Sequence, residues 1–369
     1  MDNCVIPHGY KATALGIIPQ EWEVMLLGNL SNSISSGRNK HRDAHGQYPV
    51  FGSTGIIGYS STYEYEGPVI LVARVGANAG TLNFASGQYD VSDNTLIITI
   101  KQNVYDYNFA YNQLTHYKLN KLVFGSGQPL ITSKQLKNIR IPVPPLAEQR
   151  KIAEVLGVWD KAIEKQARLI EKLALRKRAL MQRLLSAKLR LPGFSEPWKK
   201  VKLGDVAELY QPQTIQSEDL SQTGYPVYGA NGLIGYYNNY NHEYPQVVIT
   251  CRGSSCGTVN FTPGKCWITG NAMVLNVDNN RDVNKSFFYY LISNSSFVNL
   301  ISGSGQPQIV RQPLLKFELR IPPLKEQTAI AEVLTAADRE IDLDKEKLER
   351  LRRQKRGLMQ QLLTGKKRI

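Results

Sequence analysis

The chain has few cysteines and no long apolar run, and both shortages narrow what it is. Four cysteines in 369 residues make no disulfide framework for a chain this size, which is the usage of a reducing compartment. No apolar stretch approaches the ~20 residues that span a bilayer. The start, MDNCVIPHGY, lacks a basic flank followed by an apolar core, so no secretory signal is read there. A soluble cytoplasmic protein is the expectation. Catalytic signatures are missing too. No glycine-rich loop ends in Lys-Ser/Thr, and the two Gly-x-Gly runs continue into polar residues and proline, as a turn would. The only double prolines, Pro144-Pro145 and Pro322-Pro323, are each followed by leucine rather than an aromatic residue, unlike an adenine methyltransferase motif. His41 and His45 have metal-ligand spacing only on a helix, and nothing around them is helical. An enzyme in its own right is disfavoured.

What the chain does have, it has twice. Pro145, Leu146, Glu148, Gln149, Ile152, Ala153, Glu154, Val155 and Leu156 return 178 residues later as Pro323, Leu324, Glu326, Gln327, Ile330, Ala331, Glu332, Val333 and Leu334. The period exceeds the roughly 20 to 50 residues of stacked solenoid repeats, so a whole domain is duplicated. Upstream, Trp22, Leu27 and Gly28 match Trp198, Leu203 and Gly204, and Gly52, Gly55, Ile57, Gly58 and Tyr59 match Gly229, Gly232, Ile234, Gly235 and Tyr236. The run GSGQP occurs at 125–129 and again at 303–307. Where the copies disagree is equally informative. Arg38, Lys40, His41, Arg42 and His45 face a polar stretch, Gln211 to Gln222, that includes Glu218 and Asp219. Shared scaffold with divergent loops implies two readers of different targets. The repeat also argues against a metal site at Cys251, Cys256 and Cys266, whose counterparts are Arg74, Ala79 and Tyr89; four ligands are the rule for structural zinc and a fourth is not evident. These cysteines are read as structural.

The net charge of +14 suggests a polyanion or an acidic partner. Its distribution is uneven. Residues 1–147 and 189–325 carry only +2 and +3, whereas 148–188 and 326–369 carry +6 and +3. In these latter segments apolar residues recur in alternating steps of four and three. Ile152, Leu156, Trp159, Ile163, Gln166, Ile170, Leu173, Lys177, Leu180 and Leu184 form one seam. Ile330, Leu334, Ala337, Ile341, Asp344, Leu348, Leu351, Lys355, Leu358 and Leu362 form the other, in the same register. Both are coiled-coil patterns on helices of roughly 40 residues, about 60 Å each. Antiparallel pairing of the two is the simplest way to bury them; each helix packing only on its own domain is the alternative. Pro192 and Gly193 are read as stopping the first helix and 189–194 as a linker.

The remaining segments read as α+β. Val69 to Val72, Thr95 to Ile100, Gln246 to Thr250 and Met273 to Val277 have the β-branched, apolar character of strands. Tyr107 to Tyr117 and Asn284 to Ser293 suit short helices. The expected organisation is a first globular domain at 1–146, a helix at 147–188, a second globular domain at 189–324 and a second helix at 325–369.

Two globular units, each followed by a Pro-Leu-x-Glu-Gln helix ending in Leu-Met-Gln-x-Leu-Leu at 180–185 and 358–363, closely resemble the specificity subunit of type I restriction-modification systems. The resemblance covers essentially the whole chain. It implies two target recognition domains, each reading one half of a bipartite, asymmetric double-stranded DNA sequence. It implies helices that set the spacer and dock two methyltransferase subunits, with restriction subunits added. S-adenosylmethionine, ATP and Mg are expected on those partners, and no metal or catalytic group on this chain. Candidate DNA contacts are Arg38, Lys40, His41 and Arg42 in the first copy, and Arg74 and Arg252 beside matched glycines. Gln128 and Gln306 are added from the GSGQP turns. Because identical residues cannot separate two half-sites, these glutamines suit a turn or the DNA backbone. Arg74 and Arg252 are offset by 178 while their glycines are offset by 177, a one-residue slip. Partner docking or seam formation falls to Ile152, Leu156, Ile163, Ile170, Leu173, Leu180, Ile330, Leu334, Ile341, Leu348, Leu351 and Leu358. A non-enzymatic coiled-coil scaffold whose two units bind proteins or glycans is the competing reading.

Overall fold

A computed structural model describes residues 6–40, 43, 45–125, 129–229, 232–303 and 305–369. It divides into two compact units, one of residues 1–167 with 346–369 and one of 168–345. The chain is α+β, an internal repeat of two similar globular domains with two long helices, Leu146–Leu184 and Leu324–Leu362. Among the described residues no helix is long and apolar enough to cross a membrane.

In the first unit a four-stranded antiparallel sheet runs in the order Ser31–Ser36, Thr95–Ile100, Val69–Ala73, Leu82–Ala85. The second unit repeats that order with Glu208–Tyr210, Ala272–Asn276, Val247–Thr250 and Val259–Phe261. The central strands carry unbroken apolar runs because both faces are covered, and the two-residue period sorts their side chains into two cores. Ile70, Val72, Leu96 and Ile98 face the main core with Phe109 and Leu114 of helix Tyr107–Tyr117. Val69, Leu71 and Ile97 face a smaller core with Tyr89 and Val91. In the second unit Val247, Ile249, Met273 and Leu275 join Phe287, Phe288 and Ile292 of helix Lys285–Ser293. Val248, Ala272 and Val274 meet Cys266 and Ile268. The buried cysteines, Cys251 and Cys266, are thus packing residues.

Every seam position of the long helices that the heptads marked is buried or half-buried. Within the first unit Ile152 and Leu156, near the start of one helix, share a core with Met359, Leu362 and Leu363 at the end of the other. Within the second unit Ile330, Ala331 and Leu334 share a core with Leu184 and Leu185. Start meets end in both, so the helices run antiparallel. Each helix start also packs on its own domain, through Trp22, Tyr105 and Phe109 in the first unit, so the two packing schemes coexist. The polar seam positions are paired rather than idle. Lys355 Nζ lies 2.5 Å from Asp160 Oδ1, and Lys177 makes the corresponding ion pair with Asp338. Asp338 also accepts from Tyr290 Oη at 2.7 Å.

The Glu-Gln pair that opens each helix is a structural knot. Glu148 accepts from Trp22 Nε1 at 3.1 Å and from Arg368 Nε and Nη2 at 2.6 and 3.0 Å. Glu326 accepts from Trp198 Nε1 at 3.2 Å and from Arg190 Nε and Nη2 at 2.6 and 2.8 Å. Gln149 receives the amide of Asp106 and donates to the carbonyls of Val104 and Pro144, each at 2.9 Å. Gln327 does the same with Asn284, Asp282 and Pro322. The charge-assisted bonds to Glu148 and Glu326 are stronger than neutral ones.

One expectation is corrected. Pro192 and Gly193 do not stop the first long helix, which ends at Leu184. The chain reverses at Ala187, in the left-handed conformation with φ 58°, and Leu189 N donates to Arg183 O at 3.0 Å. The segment read as a linker is docked: Leu189 and Leu191 pack on the core and Arg190 completes the knot. Its counterpart reverses at Gly365, φ 72°, where a Cβ would meet Pro19 Cδ at 2.3 Å.

Candidate nucleic-acid interface

Each unit has a second, smaller sheet whose outer pair is a hairpin. In the first unit Tyr48–Gly52 pairs with Gly55–Ser60 and, in parallel, with Gln88–Val91. In the second, Tyr225–Gly229 pairs with Gly232–Tyr237 and, in parallel, with Trp267–Ile268. The divergent segments lie against these hairpins. Arg38 N and Asn39 N donate to Val91 O at 3.0 and 2.9 Å, and Asp43 N donates to Tyr59 O at 2.9 Å. Arg38 and Lys40 are exposed there. Burial and then Glu64 push the Tyr65 phenol up to about 12, while Arg38 acts in the opposite direction. In the second unit Ser221 pairs with Tyr236, and Trp267 Nε1 donates to Gln213 O at 3.3 Å. The sequence placed specificity where the copies disagree; the fold lays those stretches beside a shared hairpin.

The slip between Arg74 and Arg252 is real. Arg74 N donates to Asn94 O and accepts, through its carbonyl, from Ile131 N; Cys251 does both with Asn271 and Ile309. Cys251 therefore occupies the position of Arg74. Arg252 pairs with Gln308 as Val75 pairs with Leu130, so Arg252 occupies the position of Val75. Arg74 is half-buried and its Nη1 donates to Ser36 Oγ at 3.2 Å. Arg252 is exposed. Ser36 faces Leu96 across the sheet. Tyr210 faces Val274, which sets Gln211 at the place of Ser36, and Gln211 Nε2 donates to Gly270 O at 3.0 Å. Burial pushes the Cys251 thiol up to about 11. One pair of backbone positions thus holds Ser-Arg in one copy and Gln-Cys in the other.

Pro129 and Pro307, which end the two GSGQP runs, close on the same loops. Gly76 N donates to Pro129 O at 2.9 Å and Gly253 N to Pro307 O at 3.0 Å. Gln306 is exposed, and a Cβ at Gly303 would lie 2.5 Å from its carbonyl, which fits a turn-forming role. His41, Arg42 and Gln128 lie outside the described residues. Away from the sheets, Arg176, Arg178 and Arg183 on the first helix and Arg350, Arg352, Arg353 and Arg356 on the second are exposed. Two features escaped sequence reasoning. The aliphatic pairs Ile56-Ile57 and Leu233-Ile234 are exposed on the hairpins. The arginines of the two knots, Arg190 and Arg368, repeat at the same 178-residue offset as Glu148 and Glu326, which was the available signal.

Residues 19–174 and 195–353 each match the family model described as the type I restriction modification DNA specificity domain. The chain belongs to that family, the specificity subunits, which are the non-catalytic component of type I restriction-modification systems. It is 24% identical to the type I restriction enzyme MjaVIII specificity subunit of Methanocaldococcus jannaschii, over 95% of this chain and 94% of that one. It is 26% identical to the putative MjaX specificity subunit of the same organism, over 98% and 97%. The fold is that of a type I S subunit from M. genitalium, with a TM-score of 0.65 and 20% identity over 93% and 96% of the two chains.

Proposed function

We propose that this chain selects the DNA target of a type I restriction-modification complex, each repeat reading one half of a bipartite, asymmetric sequence. The long helices set the spacer and dock two methyltransferase subunits, with restriction subunits joining them. One observation carries the reading: a duplicated scaffold sets divergent segments beside matched hairpins, with the exposed Arg38 and Lys40 in one unit and the exposed Glu218 and Asp219 in the other. Polar groups at base edges specify, while cations and amides on phosphates position. DNA contact is assigned to Arg38, Lys40, Arg74 and Arg252 on their charge and position, as part of this reading. The exposed arginines of the helices suit phosphate or an acidic partner surface. S-adenosylmethionine, ATP and Mg would be held by the partners, which supply methylation, translocation and cleavage, in the cytoplasm.

The test is to co-express the chain with its genomic methyltransferase neighbour and map methylated adenines. Arg38→Ala relaxes or abolishes recognition of one half-site only, and so does the combined exchange Ser36→Gln, Arg74→Cys, Val75→Arg. Equal loss at both half-sites would mark a folding or phosphate role. Inserting four residues, about one helical turn, into one long helix changes the spacer and leaves both half-site sequences intact; altered half-sites with an unchanged spacer refute the ruler. Absence of salt-sensitive duplex binding with methyltransferase subunits present would favour the protein- or glycan-binding scaffold instead.

A further inference from the structure

Both hairpins display two adjacent aliphatic side chains where a regular strand would display one. Val50 pairs with Gly58 and Phe51 with Ile56, so Ile57 is an extra residue. Val227 pairs with Gly235 and Tyr228 with Leu233, so Ile234 is extra. Such a bulge interrupts the two-residue alternation and re-aims a side chain. Ile56 and Ile57 are consequently both exposed, at 54% and 38%, as are Leu233 and Ile234, at 52% and 48%. The pairs are braced. A Cβ at Gly52 would come within 2.6 Å of Ile57 Cδ1, and one at Gly229 within 3.0 Å of Ile234 Cγ2. The glycine on one strand makes room for the second isoleucine, which lies over it and is held in place.

Because the two aliphatic pairs are alike, they cannot tell one half-site from the other. Their task is one that both half-sites share. Each hairpin is bordered by the segment that differs between copies, which in the first unit carries the exposed Arg38 and Lys40. We propose that each aliphatic pair is an apolar wedge that enters the minor groove of its half-site and presses against sugars and base edges, bending the duplex there. This rests on the DNA-reading function proposed above. The minor groove presents a nearly degenerate pattern, so it is the groove in which two matched aliphatic pairs serve unlike sequences. Aliphatic wedges there unstack and bend a duplex at the expense of stacking, in return for wider contact. The divergent polar side chains are left to read the bases.

The experiment uses the chain co-purified with its methyltransferase subunits and an end-labelled duplex carrying the mapped target. Ile56→Ser and Leu233→Ser alter exposed side chains and leave Ile57 and Ile234 seated on their glycines. Burying the remaining half of one aliphatic side chain corresponds to roughly tenfold in affinity. Each single variant is therefore expected to weaken binding about tenfold and the double variant about a hundredfold. The end-to-end distance by energy transfer relaxes toward straight DNA, while sequence preference and the salt dependence of binding stay as in the parent. A double variant with unchanged affinity and bend overturns the wedge. So does a changed salt slope, which marks phosphate contact, or loss of the methyltransferase subunits on purification, which marks a protein contact. If the parent complex binds no duplex, the DNA reading itself fails, a result distinct from variants that bind as the parent does.

Discussion

Replacing Glu326 by glutamine removes a charge but almost no volume from an enclosed ion pair. Glu326 is 1% exposed and holds Arg190 through two bonds of 2.6 and 2.8 Å, with Trp198 Nε1 at 3.2 Å. Removing one partner of a fully buried pair costs about 3–5 kcal/mol, chiefly because the other charge stays desolvated. Arg190 is 26% exposed and keeps the Glu196 carbonyl at 2.9 Å, so part of that cost is relieved. About 2–3 kcal/mol is expected. Glu148→Gln should cost less, about 1–2 kcal/mol, since Arg368 is 40% exposed and better hydrated. Glu318→Gln, which breaks the exposed pair with Lys200 at 2.7 Å, serves as the control at about 0–0.5 kcal/mol. Urea unfolding followed by tryptophan fluorescence is suited to the measurement, because Trp22 and Trp198 sit in the two knots. A cycle with Arg190→Gln isolates the pairwise part. If Glu326→Gln falls within about 0.5 kcal/mol of the control, or the cycle shows no coupling, the knot does not stabilise the fold as argued.

Three further outcomes follow from particular residues. Ala187 sits at φ 58° where its counterpart is Gly365. Ala187→Gly should therefore stabilise by up to about 1 kcal/mol, read as a higher urea midpoint; a lower midpoint contradicts the strain. Leu334 is fully buried where the second helix starts, and Leu334→Ala should cost about 2–5 kcal/mol by the same assay, whereas a loss under about 1 kcal/mol would show a loosely packed seam. His242 is held between Tyr210 Oη at 2.9 Å and Asn241 Oδ1 at 2.6 Å, and burial lowers its pKa below the ordinary 6.5. The unfolded chain then binds the proton more readily. His242 therefore contributes stability above pH 6.5 that is lost as pH falls through its folded value. Thermal melts of His242→Gln should show a flatter decline below that pH than the parent, and identical slopes would refute the assignment.

Much of this was legible in the chain because some signals are local and repeated. The four-three spacing of Ile152, Leu156 and Ile163 needs only side-chain period to mark a buried stripe, and the repeat at 178 residues doubles every such reading. The run Thr95 to Ile100 reads as a strand because it is rich in β-branched and apolar residues, and helix Tyr107–Tyr117 matches its expected limits. Other features depended on contacts between distant residues. Lys177 and Lys355 looked like polar interruptions of a seam until Asp338 and Asp160 were found opposite them. Pro192 and Gly193 looked like a helix stop, yet the helix had already ended because Ala187 turns the chain back so that Arg190 reaches Glu326. The 177-residue offset already set Cys251 opposite Arg74, while the slip left open whether Arg74 and Arg252 share a role; backbone hydrogen bonds keep Arg74 with Cys251 and place Arg252 with Val75.

The sequence by itself determined the duplication, the two amphipathic helices, the strand and helix character of the domains and the family, because periodicity and repeated motifs survive without coordinates. Tertiary structure decided which residues meet. It joined Glu148 to Arg368 across 220 positions, laid the divergent segments beside the shared hairpins, and made Ile57 and Ile234 the extra residues of two bulges. Those juxtapositions depend on register and long-range closure, where a shift of one residue turns a side chain to the other face.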